Sequence, residues 1–271
     1  MSTNTGDDND TELHLRESGA GHAVILLHSS GMSGEQWRRT ATSLVERGYR
    51  AVVPDLLGSG LSPAWPDGKP LTFHDDVAAI RRLLARLGTP VHLVGHSYGG
   101  MVALCTALLE PAHVRSLALY DPVALGVLEP ERDGDALADV SRVTFRFGET
   151  HEEREAWLRQ FIDYWSGSEA WAHLRAEARA EFVRTAWVTY AGARSLVADE
   201  TRVAAYRALA VPTLLVTGET SPLAEQRVVA LLGDAIANAR VETIAGAGHM
   251  GPLTHARAFH DLLIAQLSSI R

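Results

Sequence analysis

Ser97 lies in the pentapeptide Gly95-His96-Ser97-Tyr98-Gly99, between an apolar run, Val91 to Val94, and a helical pattern that starts near Tyr98. In a strand–turn–helix context, G-x-S-x-G is a nucleophile elbow. The turn is tight enough to strain the serine backbone, and the flanking glycines let strand and helix approach without Cβ clashes. The hydroxyl would then stand at the carboxyl end of the sheet, where open α/β sheets bind ligands. A serine hydroxyl is a weak nucleophile until an imidazole takes its proton, and that imidazole needs a carboxylate on its other nitrogen. Of the 12 histidines, His249 is the candidate base, in the loop Gly246-Ala247-Gly248-His249 after the last strand-like run. His96 within the elbow, His28 after the first strand, and His255 and His260 on the following helix read as structural. Three acids end strands or follow them closely: Asp55, Asp121 and Glu219. Asp55 reads as a loop organiser, and the residues alone leave the base's partner open.

The elements that must position these groups are short apolar runs alternating with longer helical patterns. Ala23 to Leu27, Tyr49 to Val53, Val91 to Val94, Leu117 to Tyr120, Pro212 to Thr217 and Val241 to Ile244 read as strands. Helices are predicted around Gln36 to Arg47, through Val77, Ile80, Leu83, Leu84 and Leu87 up to Gly88, and from Tyr98 onward. This order predicts an α/β fold, a mostly parallel sheet with helices on both faces. The stretch from about Pro122 to Ala210 breaks the rhythm and reads as several inserted helices. Residues 123–206 hold 11 of the 18 aromatics, Phe145, Phe161, Trp165 and Trp187 among them. Such rings form a subdomain core or line an apolar pocket facing the sheet, and periodicity does not sort one from the other.

With these residues in place, the chain resembles the α/β-hydrolase superfamily. The resemblance runs from about Leu13 to the C-terminus and rests on GHSYG, LLHSSGMSGEQW, PDLLGSGLSP, LYDPV, VPTLLVTGE and GAGHMGPLTH. It implies a hydrolase core over residues 11–122 and 211–271, a helical cap inserted at 123–210, and a polar tail at 1–10. It implies the chain order serine, acid, histidine, which Ser97 and His249 satisfy, and an oxyanion hole from the backbone N–H groups of Ser30 and Tyr98. Most members carry the acid three residues after the glycine that ends the Pro212 strand, and here that position is Ser221. Asp121, at the end of the preceding core strand, is the favoured replacement, as in some members, and Glu219 is the alternative. Members with an aspartate nucleophile, the dehalogenases and epoxide hydrolases, are disfavoured by serine at position 97. Where the family usually has His-Gly, this chain has His28-Ser29, a serine that either adds a hydroxyl to the site or replaces a permissive glycine.

Composition narrows the rest. A net charge of −8 gives no electrostatic drive toward phosphate backbones, so nucleic acid is not expected as a partner. Cys105 is the single cysteine and no Cys/His cluster has structural-zinc spacing, so no metal is expected, and the chemistry outlined above calls for no cofactor. The first ten residues are polar and acidic, without the apolar segment of a signal peptide, and no apolar run approaches a membrane span. A soluble, cytoplasmic protein is expected, one that does not bind membranes. The leading expectation is a cofactor-free serine hydrolase forming an acyl-enzyme with a small, fairly apolar ester or lactone. Carbon–carbon bond cleavage is possible on the same residues, and the rival reading is a small-molecule binding protein or receptor. Oligomeric state is not legible.

Overall fold

The computed structural model describes residues 12–143 and 146–270, so the polar segment 1–10 and Phe145 lie outside the described residues. Seven strands form one sheet in the order β1-β3-β2-β4-β5-β6-β7. They are β1 (Leu15–Ser18), β2 (Ala23–Leu27), β3 (Arg50–Pro54), β4 (Val91–His96), β5 (Val114–Tyr120), β6 (Thr213–Gly218) and β7 (Ala239–Ile244). Only β1 is antiparallel, against β3; the other pairs are parallel. The strand β1 has no counterpart among the sequence-predicted strands: its four residues, LRES, are too polar to stand out as an apolar run.

Alternate residues of the buried strands feed two cores, as the pleat requires. Ile25, Leu27, Val52, Leu93, Leu119 and Leu215 face one way, toward α2 (Phe73–Leu87), α3 (Tyr98–Leu109) and α9 (Leu223–Ala235). Val24, Leu26, Val94, Ala118, Tyr120 and Val216 face the other, packing with Leu44 of α1 (Arg38–Val45) and Phe259, Leu263 and Leu267 of α11 (Ala256–Ser268). Both faces are therefore covered, and the central strands are buried along their length. The helix expected over Gln36–Arg47 is a 3₁₀ turn, Gly34–Trp37, running into α1. The long α2 starts with Asp75 reaching back to the Thr72 N–H at 2.8 Å and stops at Gly88, whose φ of +64° is the left-handed conformation a helix end favours.

Between β5 and β6 the described chain forms α4 (Pro130–Val140), α5 (His151–Ser166), α6 (Ala170–His173), α7 (Ala176–Arg184) and α8 (Ala186–Val197). Trp157, Phe161, Ile162, Trp171 and Tyr190 build a third apolar cluster there, distinct from the two cores on the sheet. The short α10 (Gly251–Thr254) follows the loop after β7. Among the described residues, no helix is long and apolar enough to cross a membrane.

Candidate active site

Ser97 follows the last residue of β4 and precedes the first of α3, with φ +56° and ψ −120°. That conformation costs a non-glycine residue about 1–3 kcal/mol and persists only where the surroundings over-determine it. The neighbours supply the constraint. A Cβ on Gly95 would stand 2.4 Å from the Gly99 carbonyl oxygen, and one on Gly99 would stand 2.4 Å from that of Leu27. Both glycines are required by close backbone approach. The Ser97 N–H donates to the Tyr120 carbonyl at 3.0 Å, tying the elbow to the neighbouring strand.

Register then explains which acid meets the base. His96 pairs with Tyr120 across β4 and β5, so Asp121 is level with Ser97 at the same edge of the sheet. The Asp121 N–H donates to Val216 on β6 at 2.9 Å, and its φ of +42° turns it out of the strand. His249 Nδ1 donates to Asp121 Oδ2 at 3.1 Å, and the Ser97 hydroxyl donates to His249 Nε2 at 2.9 Å. All three side chains are buried. Ser221 also reaches this carboxylate: its hydroxyl donates to Asp121 Oδ2 at 2.6 Å, and itself accepts from the Gly218 N–H at 3.1 Å.

Glu219 does not meet His249 Nδ1. It is exposed, and its carboxylate accepts from the Gly246 N–H at 2.7 Å. It is one of four ties that hold the histidine loop residue by residue. Thr220 Oγ1 donates to the Ala247 carbonyl at 3.0 Å, Tyr120 Oη to that of Gly248 at 2.7 Å, and His96 Nε2 to that of His249 at 2.8 Å. His96 is fully buried; desolvation and then the neighbouring His249 hold it well below its ordinary value, so it acts as a neutral donor. Its Nδ1 accepts from Gln36 Nε2 at 3.0 Å, while Gln36 Oε1 accepts both the N–H and the hydroxyl of Ser29, at 3.0 and 2.9 Å. The Ser29 hydroxyl is therefore committed to Gln36, and the chain Ser29–Gln36–His96 links the loop after β2 to the backbone of His249. Gln36 did not stand out in the sequence, because a lone glutamine carries no chemical signature.

His28 donates through Nδ1 to the Ser29 carbonyl at 2.9 Å and accepts the Leu56 N–H on Nε2 at the same distance, joining two loops. His260 pairs with Thr40 at 2.6 Å and His255 with Thr254 at 3.0 Å, both away from Ser97. Beneath the elbow, the Tyr98 hydroxyl donates at 2.7 Å to Asp76, a buried acid on α2 that the sequence reading did not mark. Desolvation raises Asp76 to about 7, although the Leu57 N–H and the Tyr98 hydroxyl pull the other way.

Two small cavities, of about 20 and 30 Å³, meet at Ser97 and Ser30. Val123, Leu125, Val140 and Leu196 wall one, Met32, Ile162 and Phe182 the other, and Phe161 and Trp165 both. Among the described residues, neither is lined by Arg, Lys, Asp or Glu. A larger cleft of about 780 Å³, with charged and apolar lining mixed, reaches His249, Arg142 and Asp163. Trp165 borders all three spaces, with its ring centroid 4.5 Å from that of His249. The rings that periodicity could not sort serve both roles: Phe161, Trp165 and Phe182 border the cavities and also pack in or against the helical cluster, while Trp157, Trp171 and Tyr190 belong to the cluster and line neither cavity. Tyr98 is the first residue of α3, where a helix N–H has no intrahelical acceptor.

Comparison with known proteins identifies the fold family. "Epoxide hydrolase 2" of Siraitia grosvenorii is 37% identical over 110 residues, 40% of this chain and 35% of that protein, so the match spans about a third of its length. "2-hydroxymuconate semialdehyde hydrolase" of Pseudomonas sp. (strain CF600) is 28% identical over 264 residues, covering 92% of this chain and 88% of the relative. A solved hydrolase from Pseudomonas aeruginosa PA01 superposes with a TM-score of 0.74 at 25% identity, covering 94% of each chain. The family model described as "Alpha/beta hydrolase family" matches residues 24–262, from the second strand to the last helix. Sheet order, elbow and family match agree, and the chain belongs to the alpha/beta hydrolase family.

Proposed function

We propose that the protein is a cofactor-free serine hydrolase that cleaves small, fairly apolar esters or lactones through an acyl-enzyme. The observation that carries this reading is the unbroken chain of hydrogen bonds from Ser97 through His249 to Asp121. Its absence would have favoured a binding protein, because Ser221 occupies the acid's usual place. In the first step His249 Nε2 takes the Ser97 proton as Oγ attacks the substrate carbonyl. The N–H groups of Ser30 and Tyr98 receive the developing oxyanion, and Asp121 holds the imidazolium. The leaving alkoxide takes the proton back from Nε2. Water then gives its proton to His249, attacks the acyl carbon and releases the acid, and the proton returns to Ser97.

The helices between β5 and β6 act as a cap over this site, with Phe161 and Trp165 as its inner wall. We take the acyl chain to enter the small apolar cavities beside Ser97, which would select short chains. Hydrolysis of p-nitrophenyl acetate, butyrate and octanoate tests the reading. The expected result is preference for the two shorter esters and loss of activity by about 10³-fold or more in Ser97→Ala. Equal turnover by Ser97→Ala would overturn it.

A second reading, carbon–carbon bond hydrolysis of a dicarbonyl compound, is favoured by the relative that matches nearly the whole chain. Among the described residues neither cavity at Ser97 is lined by Arg or Lys, whereas the larger cleft that reaches His249 is lined by Arg142. Turnover of a vinylogous diketone at a higher kcat/KM than p-nitrophenyl butyrate would select it. Cytoplasmic placement belongs to the same proposal and rests on composition.

A further inference from the structure

Glu225 is a buried acid that the mechanism above does not use. It sits in the first turn of α9, four residues after Ser221, with 0% exposure, and neither of its carboxylate oxygens has a hydrogen-bond partner. The Oδ1 of Asp121 is buried and unpartnered as well. Ser221, whose hydroxyl donates to Asp121 Oδ2 at 2.6 Å, precedes Glu225 by about one helical turn, and its carbonyl accepts from Gln226 Nε2 at 2.7 Å, so Glu225 stands on the segment that contacts Asp121. The cations of this region are engaged elsewhere: Arg142 pairs with Asp139 at 3.2 Å, and Arg227 of α9 pairs with Asp133 of α4 at 2.7 Å. Tyr164 of α5 directs its hydroxyl to Asp139 at 2.9 Å.

Two buried carboxylates that share a region without a cation between them cannot both ionise. The donors decide which keeps the charge. Asp121 receives Ser221 and His249, whereas Glu225 receives nothing. We infer that Glu225 is a positioning residue that stands as an uncharged acid behind Asp121. While Glu225 holds its proton, Asp121 can carry the charge that steadies His249; when Glu225 loses it, the two carboxylates repel and the relay to Ser97 weakens. The electrostatics agree in direction: burial first, then Asp121 and Asp139, hold the Glu225 carboxyl well above the ordinary carboxylate range. This inference rests on the proposed serine mechanism and adds to it an alkaline limit set by a residue outside the hydrogen-bonded chain.

The test uses the intact protein and Glu225→Gln, with Glu225→Met as a second uncharged variant should the first not fold. The rate of Ser97 labelling by a fluorophosphonate is followed from about pH 7 to 10, and thermal unfolding is recorded across about pH 4 to 9. The wild type is expected to slow at the alkaline end, and the uncharged variants to keep their rate, a ratio change of roughly threefold or more. A group whose folded-state value is raised binds its proton more tightly folded than unfolded, so wild-type stability falls as pH rises above the unfolded glutamate value. The Tm of the variant should therefore gain on the wild type with rising pH. A variant with the wild-type alkaline profile, or a Tm difference independent of pH, overturns the inference while leaving Ser97 chemistry standing. Failure of the wild type itself to label overturns the serine mechanism and this role together, and the Tm series then reports only the protonation of Glu225.

Discussion

Asp55 and Asp121 each follow directly on a parallel strand, β3 and β5, and each is fully buried, yet their surroundings differ in one respect. Asp55 is saturated. Its carboxylate accepts from the Gly34 N–H at 2.7 Å, the Leu61 N–H at 2.9 Å and Arg16 at 2.9 Å, with His14 at 3.1 Å. Desolvation pushes it up, but the Leu61 amide, Arg16 and the Gly34 amide outweigh burial and hold it below the ordinary range. Asp121 has two donors, both on one oxygen, and one of them is the imidazole that faces Ser97. An acid surrounded by fixed donors organises a loop. An acid left with spare capacity beside a base can respond to a charge that appears and disappears during a reaction.

The largest effect that would test this contrast is expected at Asp121. Asparagine there keeps the volume but offers no charge to the imidazolium, and kcat/KM should fall by about 10³–10⁴-fold with the fold intact. Ester hydrolysis beside a melting curve checks both halves. Asparagine at position 55 should reverse the pattern. Breaking a buried ion pair and its amide bonds costs about 3 kcal/mol, while the folded fraction keeps kcat within several-fold of wild type. The pH dependence sharpens that point. Because the folded-state value of Asp55 is depressed, its contribution is present above the unfolded aspartate value and is lost as pH falls through the folded one. Unfolding of Asp55→Asn should accordingly be less acid-sensitive than that of wild type.

Smaller effects grade the contrast. Ser221→Ala removes one donor from Asp121, and a hydrogen bond to a charged group is worth about 1.5–3 kcal/mol, so kcat should drop about 10-fold with KM little changed. Smallest of all is Glu219→Gln, which keeps an acceptor for the Gly246 N–H; steady-state rates within about threefold of wild type are expected. A collapse of activity in Glu219→Gln with Asp121→Asn unaffected would exchange the roles of the two acids.

Much of this architecture was legible because its signals are local. The strand AVILL coincides with β2 at both ends, and the G-x-S-x-G pentapeptide lies on the strand–turn–helix expected of it. The antiparallel β1 escaped because it is half exposed and carries no apolar run. The resemblance favoured Asp121 over Glu219, but the physical reason was not legible, since it lies in the β5–β6 register and in Ser221 turning back to Asp121. Gln36, Asp76 and Glu225 were invisible for a related reason. Gln36 and Asp76 act through partners distant in sequence, Gln36 on a residue 60 positions away, and Glu225 is marked only by its burial, so no spacing rule finds them. The aromatic-rich helices are the third case: their content of rings was countable, but which rings border the cavities depends on how the helices settle on the sheet.

Whether Ser97 is a nucleophile activated by His249 and Asp121 is decided by intact mass after exposure to a fluorophosphonate. One adduct is expected on the wild type, none on Ser97→Ala, and strongly slowed addition on Asp121→Asn. A folded wild type that gains no mass, or a Ser97→Ala variant that gains the same adduct at the same rate, would contradict it.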